Sequence, residues 1–290
     1  MNVAGRDCSL VLIAGRHLVS LPYAEETLRN RYLLVAEEAV VDGGGRAVDV
    51  LRPDGATGCI VTRLGLSTAP ILLALVLGAE DPAFFVSGTR SVYAHPLALD
   101  YRETGTPFDV VADHVNDMRL FRRLYPRGWE LRVMRGNALY LKLDCTGTNA
   151  AEDAPVLPGV PLADEEHFHE DGVTVRVNGS LAPSVYGVVV TVKRGRTTRA
   201  EIALHRSWND ADAHLFGERI DTLEIEARLW RDGYEDRRTG RFVLDAEALA
   251  LLGDGTSVNC AGEVIGPLRY LVTGSLGAEV YSTDGERLLP

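Results

Sequence analysis

Lysine is nearly missing from this chain. Of its 30 cationic residues only Lys142 and Lys193 are lysines, and we read the arginine bias as genome composition rather than as a binding surface. Cysteine is scarce too. Cys8, Cys59, Cys145 and Cys260 stand far apart with no Cys-x-x-Cys pair, which argues against a close-spaced zinc cage. They read as buried small hydrophobes rather than as a disulfide framework. Long apolar runs are also lacking. The longest, APILLALVLGA at 69–79, has 11 residues, short of the roughly 20 that a helix needs to cross a bilayer. The opening stretch is broken by Arg6, Asp7, Arg16 and His17, unlike a secretory signal. The expectation is a soluble, intracellular protein.

The familiar catalytic signatures are missing as well. There is no G-x-S-x-G, no H-E-x-x-H and no G-x-x-x-x-G-K. GGGR at 43–46 follows no apolar parallel strand and precedes no helix, so it reads as a hairpin tip rather than a phosphate loop. No enzymatic activity and no cofactor are expected. The net charge of −11 is uneven: residues 1–149 carry 16 Lys+Arg against 17 Asp+Glu, and residues 150–290 carry 14 against 24. A chain with no basic stripe is not expected to hold nucleic acid tightly.

What is present is ribbon. GWELRVMRGNALYLKLDCTG (128–147) alternates along two strands joined at Gly136-Asn137. GTNAAEDAPVLPGVPLADEE (147–166), with three prolines and no periodicity, reads as a linker. Similar features follow one another on both sides of it. SLVLIAGRHLVSLPY turns near Ala14-Gly15, and VTVRVNGSLAPSVY turns at Asn178-Gly179, a strong hairpin signal. LALDYRETGTPFDV turns at Gly105, and RLWRDGYEDRRTGRFVL turns at Gly240. A final ribbon follows, from Gly128 in the first half and Gly266 in the second. This is the pattern of an internal duplication. The expected fold is mainly β: two tandem, duplicated antiparallel sandwich or barrel domains, 1–149 and 171–290, joined by a linker at 150–170. Each is expected to carry a short flanking helix. Helices are predicted in STAPILLALVLGA, apolar all round and ending at Gly78, in FDVVADHVNDMRLFRRLY, and in DAEALALLGDG (245–255). In the second of these, Val111, Val115, Met118, Phe121 and Tyr125 share a face.

Few residues offer chemistry. In EEHFHED (165–171), His167 and His169 fall on one face of an extended strand beside four acids, making them weak metal candidates without an identifiable third ligand. The bland reading is a solvated edge. His205 reads as a structural histidine, since no nucleophile is spaced to meet it. RLFRRLYPRG (119–128) places Arg119, Arg122, Arg123 and Arg127 together. They form either a solvated helix face or an intersubunit surface that pairs with the acidic 152–171 segment of another copy.

The glycine-bounded ribbon and the preceding TAPILLALVLGAEDP resemble the closing strands and buried helix of bacteriophage tail-tube proteins. The doubled pattern resembles tube and baseplate-hub proteins with two such domains per chain. The resemblance is clearest over 67–147. It implies a structural virion protein whose sheets join edge to edge into rings that stack as a tube with an acidic lumen for DNA. Its partners would be itself, other tail or baseplate proteins and passing DNA, without a membrane, in a virion tail assembled in the host cytoplasm. Loop 40–58, with Val40, Val41, Val48, Val50 and Leu51 in broken alternation, is expected to form either an extended hairpin arm, poorly ordered alone and ordered by a neighbouring subunit, or a floppy surface loop. The competing classes are a β-sandwich binding module for carbohydrate or peptide using Trp208, Trp230 and Tyr234, and a metal-dependent hydrolase built on His167 and His169.

Overall fold

The computed structural model describes residues 9–41, 44–89, 91–102, 105–113, 117–154, 166–207, 212–229, 240–252, 257–258, 264–265 and 267–289, with the side chains of 36–49, 257–258 and 264–265 set aside. Within it the chain is mainly β, and α1 (Thr68–Leu77) is the single α-helix among the described residues. The strands are β1 (Ser9–Ala14), β2 (His17–Ser20), β3 (Tyr23–Glu26), β4 (Arg29–Val41), β5 (Gly44–Arg63), β6 (Gly78–Glu80), β7 (Phe84–Phe85), β8 (Tyr93–Leu99), β9 (Phe108–Asp113), β10 (Met118–Met134), β11 (Tyr140–Gly147) and β12 (Glu152–Asp153). They continue as β13 (Val173–Val177), β14 (Ser180–Leu181), β15 (Val185–Lys193), β16 (Arg199–Arg206), β17 (Arg219–Arg228), β18 (Arg241–Leu251), β19 (Ser257–Val258), β20 (Val264–Ile265), β21 (Leu268–Val272) and β22 (Leu276–Ser282). All but β19 and β20 belong to one antiparallel network.

Two predicted helices are strands. FDVVADHVNDMRLFRRLY supplies β9 and the start of β10, separated by residues outside the described set. Its apolar spacing fits a helix, but Val110, Val111 and Ala112 pair along β1 at Leu12, Val11 and Leu10, and β-branched side chains suit that pleated surface. DAEALALLGDG has helix-forming composition, yet Asp245 to Leu251 lie in β18 between β17 on one edge and β21 and β22 on the other. Tertiary pairing outweighs a propensity of a few tenths of a kcal/mol per residue. Among its described residues the second half has no α-helix, only the short 3-10 turns Glu170–Gly172 and Ala213–Leu215, and the helix predicted at 245–255 is strand β18. The third prediction holds. All ten residues of α1 are buried, and Gly78 closes the helix with φ +89, donating its N–H to the Ala74 carbonyl.

In the first half the strands pair in the order β2, β1, β9, β10, β11, β5, β4, with β3 continuing the β4 edge of β5. In the second half the order is β14, β13, β17, β18, β21, β16, β15, with β22 beside β21 along β18. Both opening hairpins turn through a left-handed glycine, Gly15 (φ +56) and Gly179 (φ +77). Both long central strands contain a left-handed non-glycine residue followed by a buried leucine, Arg123 before Leu124 and Ala248 before Leu249. The two final ribbons differ. Strands β10 and β11 form a hairpin across Gly136, whereas β21 and β22 both run along β18.

Two seams join the halves. Residues 128–134 of β10 pair with residues 193–187 of β15, and β8 pairs with β22 from Tyr93↔Ser282 to Ala98↔Gly277. One face of the network carries a core shared by both halves, including α1, Trp129, Phe168, Phe242 and Tyr270. The stretch predicted as linker is partly structured: β12 pairs with β10 at Leu120↔Glu152, and His167 and His169 bridge to Gly65 and Ala138.

Candidate assembly surfaces

The longest element is the hairpin β4–β5, whose register runs from Arg29↔Thr57 to Val41↔Gly44. Its base is fixed, because residues 56–63 of β5 also pair with β11. Gly55 at that base must be glycine, since a Cβ there would sit 2.2 Å from the Gly147 carbonyl oxygen. From Tyr32 to Leu51 no strand flanks the hairpin on either side among the described residues. A ribbon of this length projects roughly 30 Å at about 3.3 Å per residue. Tyr32, Leu34, Leu51 and Pro53 lie on one face of it, with Tyr32↔Pro53 and Leu34↔Leu51 directly opposite. Tyr32 is 52% exposed, and Leu34 and Leu51 are 64% exposed. Val50 is half-buried and pairs with Val35. Val40, Val41 and Val48 take their places in the ladder, with side chains outside the described set. The arm read from residues 40–58 is thus a hairpin longer than that range, carrying an uncovered apolar face.

The seam between halves is buried and pinned. Trp129 is buried between Leu143 of β11 and Val192 of β15. Next to it Arg194, 7% exposed, donates through its guanidinium to the carbonyls of Val76 and Leu77 at the end of α1, and to those of Asp100 and Arg102. A cation there satisfies helix-end carbonyls and opposes the negative end of the helix dipole. Desolvation lowers the pKa of Arg194 from its usual value, but so strong a base keeps its charge. At the second seam His95 is fully buried. Its Nδ1 lies 3.0 Å from Glu80 Oε1 and its Nε2 2.9 Å from Ser282 Oγ. Glu80 also accepts the backbone N–H groups of Leu288 and Leu289.

The other face of the sheet meets solvent. Three of its cations stand beside acids: Arg132 with Glu130 at 2.8 Å, Lys142 with Asp144 at 3.5 Å, and Arg269 with Glu201 at 2.6 Å. A groove of about 470 Å³ lies here, lined by Glu25, Val61, Glu130, Arg132, Tyr140 and Lys142 among others. Its mixed charges and lack of a buried, convergent polar set give it no evident chemistry. In the second half Asp245 is raised above the usual carboxylate range, first by desolvation and then by Glu224, Glu279 and Glu247 around it.

The predicted site residues disperse. His167 is half-buried and His169 exposed, and what EEHFHED contributes is Phe168, fully buried in edge contact with Phe242 at 5.1 Å. No group of three or more potential metal ligands occurs among the described residues. A single large apolar residue inside a charged run was the signal for Phe168. His205 lies in β16, its pKa lowered by burial and by Arg132, with the Tyr186 ring 6.2 Å away. Arg119 and Arg122 reach Asp153 and Glu152 of the same chain at 3.2 Å. The backbone N–H of Arg123 bonds Asp109, and the Arg127 carbonyl accepts from the Arg194 N–H. Cys145 is buried, and that burial pushes its thiol pKa far up; Cys59 is half-buried, and Cys8 and Cys260 lie outside the described residues. So do Trp208, Trp230 and Tyr234, the aromatic residues of the binding-module reading.

No helix among the described residues is long and apolar enough to cross a membrane. No protein-family model matches the chain, and no curated protein resembles it closely enough to count as a relative.

Proposed function

We propose that the chain is a non-enzymatic structural subunit of a phage or phage-derived tail tube, two copies of one antiparallel β unit that assemble edge to edge into stacked rings. The observation that carries this reading is the repeated pairing order. Each strand of the series β2, β1, β9, β10, β11, β5, β4 has a counterpart at the same position in sequence and sheet in the series β14, β13, β17, β18, β21, β16, β15. Two unrelated β domains would share hairpins but not a whole adjacency order with left-handed residues at matching points. The internal seam supports the same reading, because there a strand of the first half pairs along a strand edge of the second. A sandwich or barrel closes naturally from units joined in this way.

The solvent face suits passage of DNA. On it Arg132, Lys142 and Arg269 stand beside carboxylates, and the second half adds Glu224, Asp245, Glu247 and Glu279, acids that repel phosphates. The arm supplies an apolar face for a neighbouring subunit or ring. Other tail and baseplate proteins would meet the ends of the assembly.

Sedimentation velocity over a hundredfold concentration range tests the proposal. The expected result is a discrete ring-sized species growing at the expense of monomer, with no hydrolytic activity. A monomer at every concentration contradicts it.

A further inference from the structure

We infer that His95 is held in the fold as a doubly protonated imidazolium and works as a latch, freeing the C-terminal segment 283–289 from the first half when it loses a proton. The basis is what its two ring nitrogens face. His95 lies on β8 and is fully buried. Its Nδ1 is 3.0 Å from Glu80 Oε1, and its Nε2 is 3.0 Å from the Asp284 carbonyl oxygen and 2.9 Å from Ser282 Oγ. A neutral ring protonated only at Nε2 would turn a lone pair on the Glu80 carboxylate. One protonated only at Nδ1 would turn it on the Asp284 carbonyl, which has no proton to give. The Ser282 hydroxyl does not relieve this, because it donates its single proton to the same carbonyl at 2.8 Å. Acceptors on both sides of the ring call for two N–H donors. A buried cation is costly unless it is paired and hydrogen-bonded, and His95 is both.

The same carboxylate grips the end of the chain. Residues 283–289 follow β22 and belong to no strand. Leu288 and Leu289 are nevertheless buried in the shared core, and their backbone N–H groups donate to Glu80 Oε2 at 3.0 and 3.4 Å. On the far side of the ring, Ser282 Oγ accepts the Asp284 N–H, and Asp284 Oδ1 accepts that of Glu286. His95 thus ties down the start of the segment through Nε2 and its close through Glu80.

Other charges face this site. From the β1–β2 turn Arg16 reaches Asp284 Oδ2 at 2.8 Å and the Arg287 carbonyl at 3.3 Å, and it pairs with Glu286. Arg287 lines a small cavity together with Glu80. His17, beside Arg16, also feels Glu80 and Asp284, but burial and Arg16 lower its pKa, so its ring is already neutral where the latch opens. The proton on His95 is bound in the folded state, so the latch holds at low pH and loosens as pH rises. Its loss sets a ring lone pair against an acceptor and leaves Glu80 without its buried counter-charge, and the segment lifts with Leu288 and Leu289.

Two measurements on the full chain test this. The first is imidazole nitrogen NMR at about pH 6, with His95→Gln identifying the resonances, where both ring nitrogens of His95 should carry a proton. A single protonated nitrogen overturns the latch. The second is amide hydrogen exchange at Leu288 and Leu289 between about pH 6 and about pH 9, corrected for the intrinsic effect of pH. Protection should fall roughly tenfold or more over that range in the parent and in His17→Gln, while amides of β18 keep theirs. In His95→Gln it should no longer vary with pH. Protection that is flat in the parent, or that falls equally in His95→Gln, overturns the latch. Should His95→Gln not fold, the ring resonances are assigned through couplings to the His95 backbone, and the parent's spectra and exchange decide.

Discussion

The two halves share a frame and differ in what is attached to it. The first half inserts a buried ten-residue helix and β6–β8 between β5 and β9, and extends β4–β5 into the arm. The second half spans the corresponding stretch with a 3-10 turn, and its β15–β16 hairpin ends at the seam. The shared strands bury the core, so they are constrained by packing. The halves meet through the shared strands β10 and β15 and through β8 with β22, and apolar surface is left over on the arm. The first half donates β10 to fill an edge of the second, and the second donates β22 to cover β8 of the first. What remains without a counterpart in the other half is the arm.

The comparison is broken most severely at Phe168. This residue packs on Phe242, tying the segment between the halves to the second half's central strand. Phe168→Ala should cost about 3–5 kcal/mol, a cavity-sized loss, and thermal melting should show both halves destabilised in one transition. A separate early transition for one half would mean that the core is not shared.

Arg194→Met removes the cation at the seam and takes a donor from the carbonyls of Val76, Asp100 and Arg102, while the Leu77 carbonyl keeps the Asp100 N–H. The expected loss is about 3 kcal/mol, against less than about 0.5 kcal/mol for the exposed neighbour Lys193→Met, read by denaturant unfolding.

Trimming the arm sharpens the difference between frame and addition. Replacing residues 35–50 by Asn-Gly closes the ribbon at the Leu34↔Leu51 pair and spares Ala56, which is fully buried. Stability should change by less than about 1 kcal/mol in melting experiments, because among the described residues this stretch pairs with no strand outside the hairpin. Sedimentation should show higher assembly lost.

The smallest effect is electrostatic. Burial and the carboxylates of Glu224, Glu279 and Glu247 raise Asp245, so the folded state favours its protonated form and the ionised form is a burden at neutral pH. Asp245→Asn should therefore stabilise at pH 7, by no more than about 0.5 kcal/mol since water screens this exposed residue. The gain should shrink as pH falls through the carboxylate range, where the parent Asp245 takes up a proton itself.

Some of this was legible in the residues and some was not. The Asn178-Gly179 turn, the Gly136 hairpin, α1 with its Gly78 stop and the arm all rest on local rules, and local rules reach them. Strands β9, β10 and β18 were misread as helices because their apolar residues satisfy both periods. The choice was made by β1, β17 and β22, distant in sequence. Arg194 was invisible for the same reason: its partners lie at positions 76, 77, 100 and 102. Arg119 and Arg122 read in the sequence as a solvated helix face or as partners for the acidic 152–171 segment of another copy, whereas the structure sets them on strand β10 beside Asp153 and Glu152 of the same chain.

The claim that the frame exists to be joined to further copies is tested most directly by negative-stain electron microscopy of the purified chain at high concentration. The account predicts rings, singly or stacked into tubes, in the parent protein, and discrete small particles after arm trimming. A field of uniform monomer-sized particles from the parent protein would contradict it.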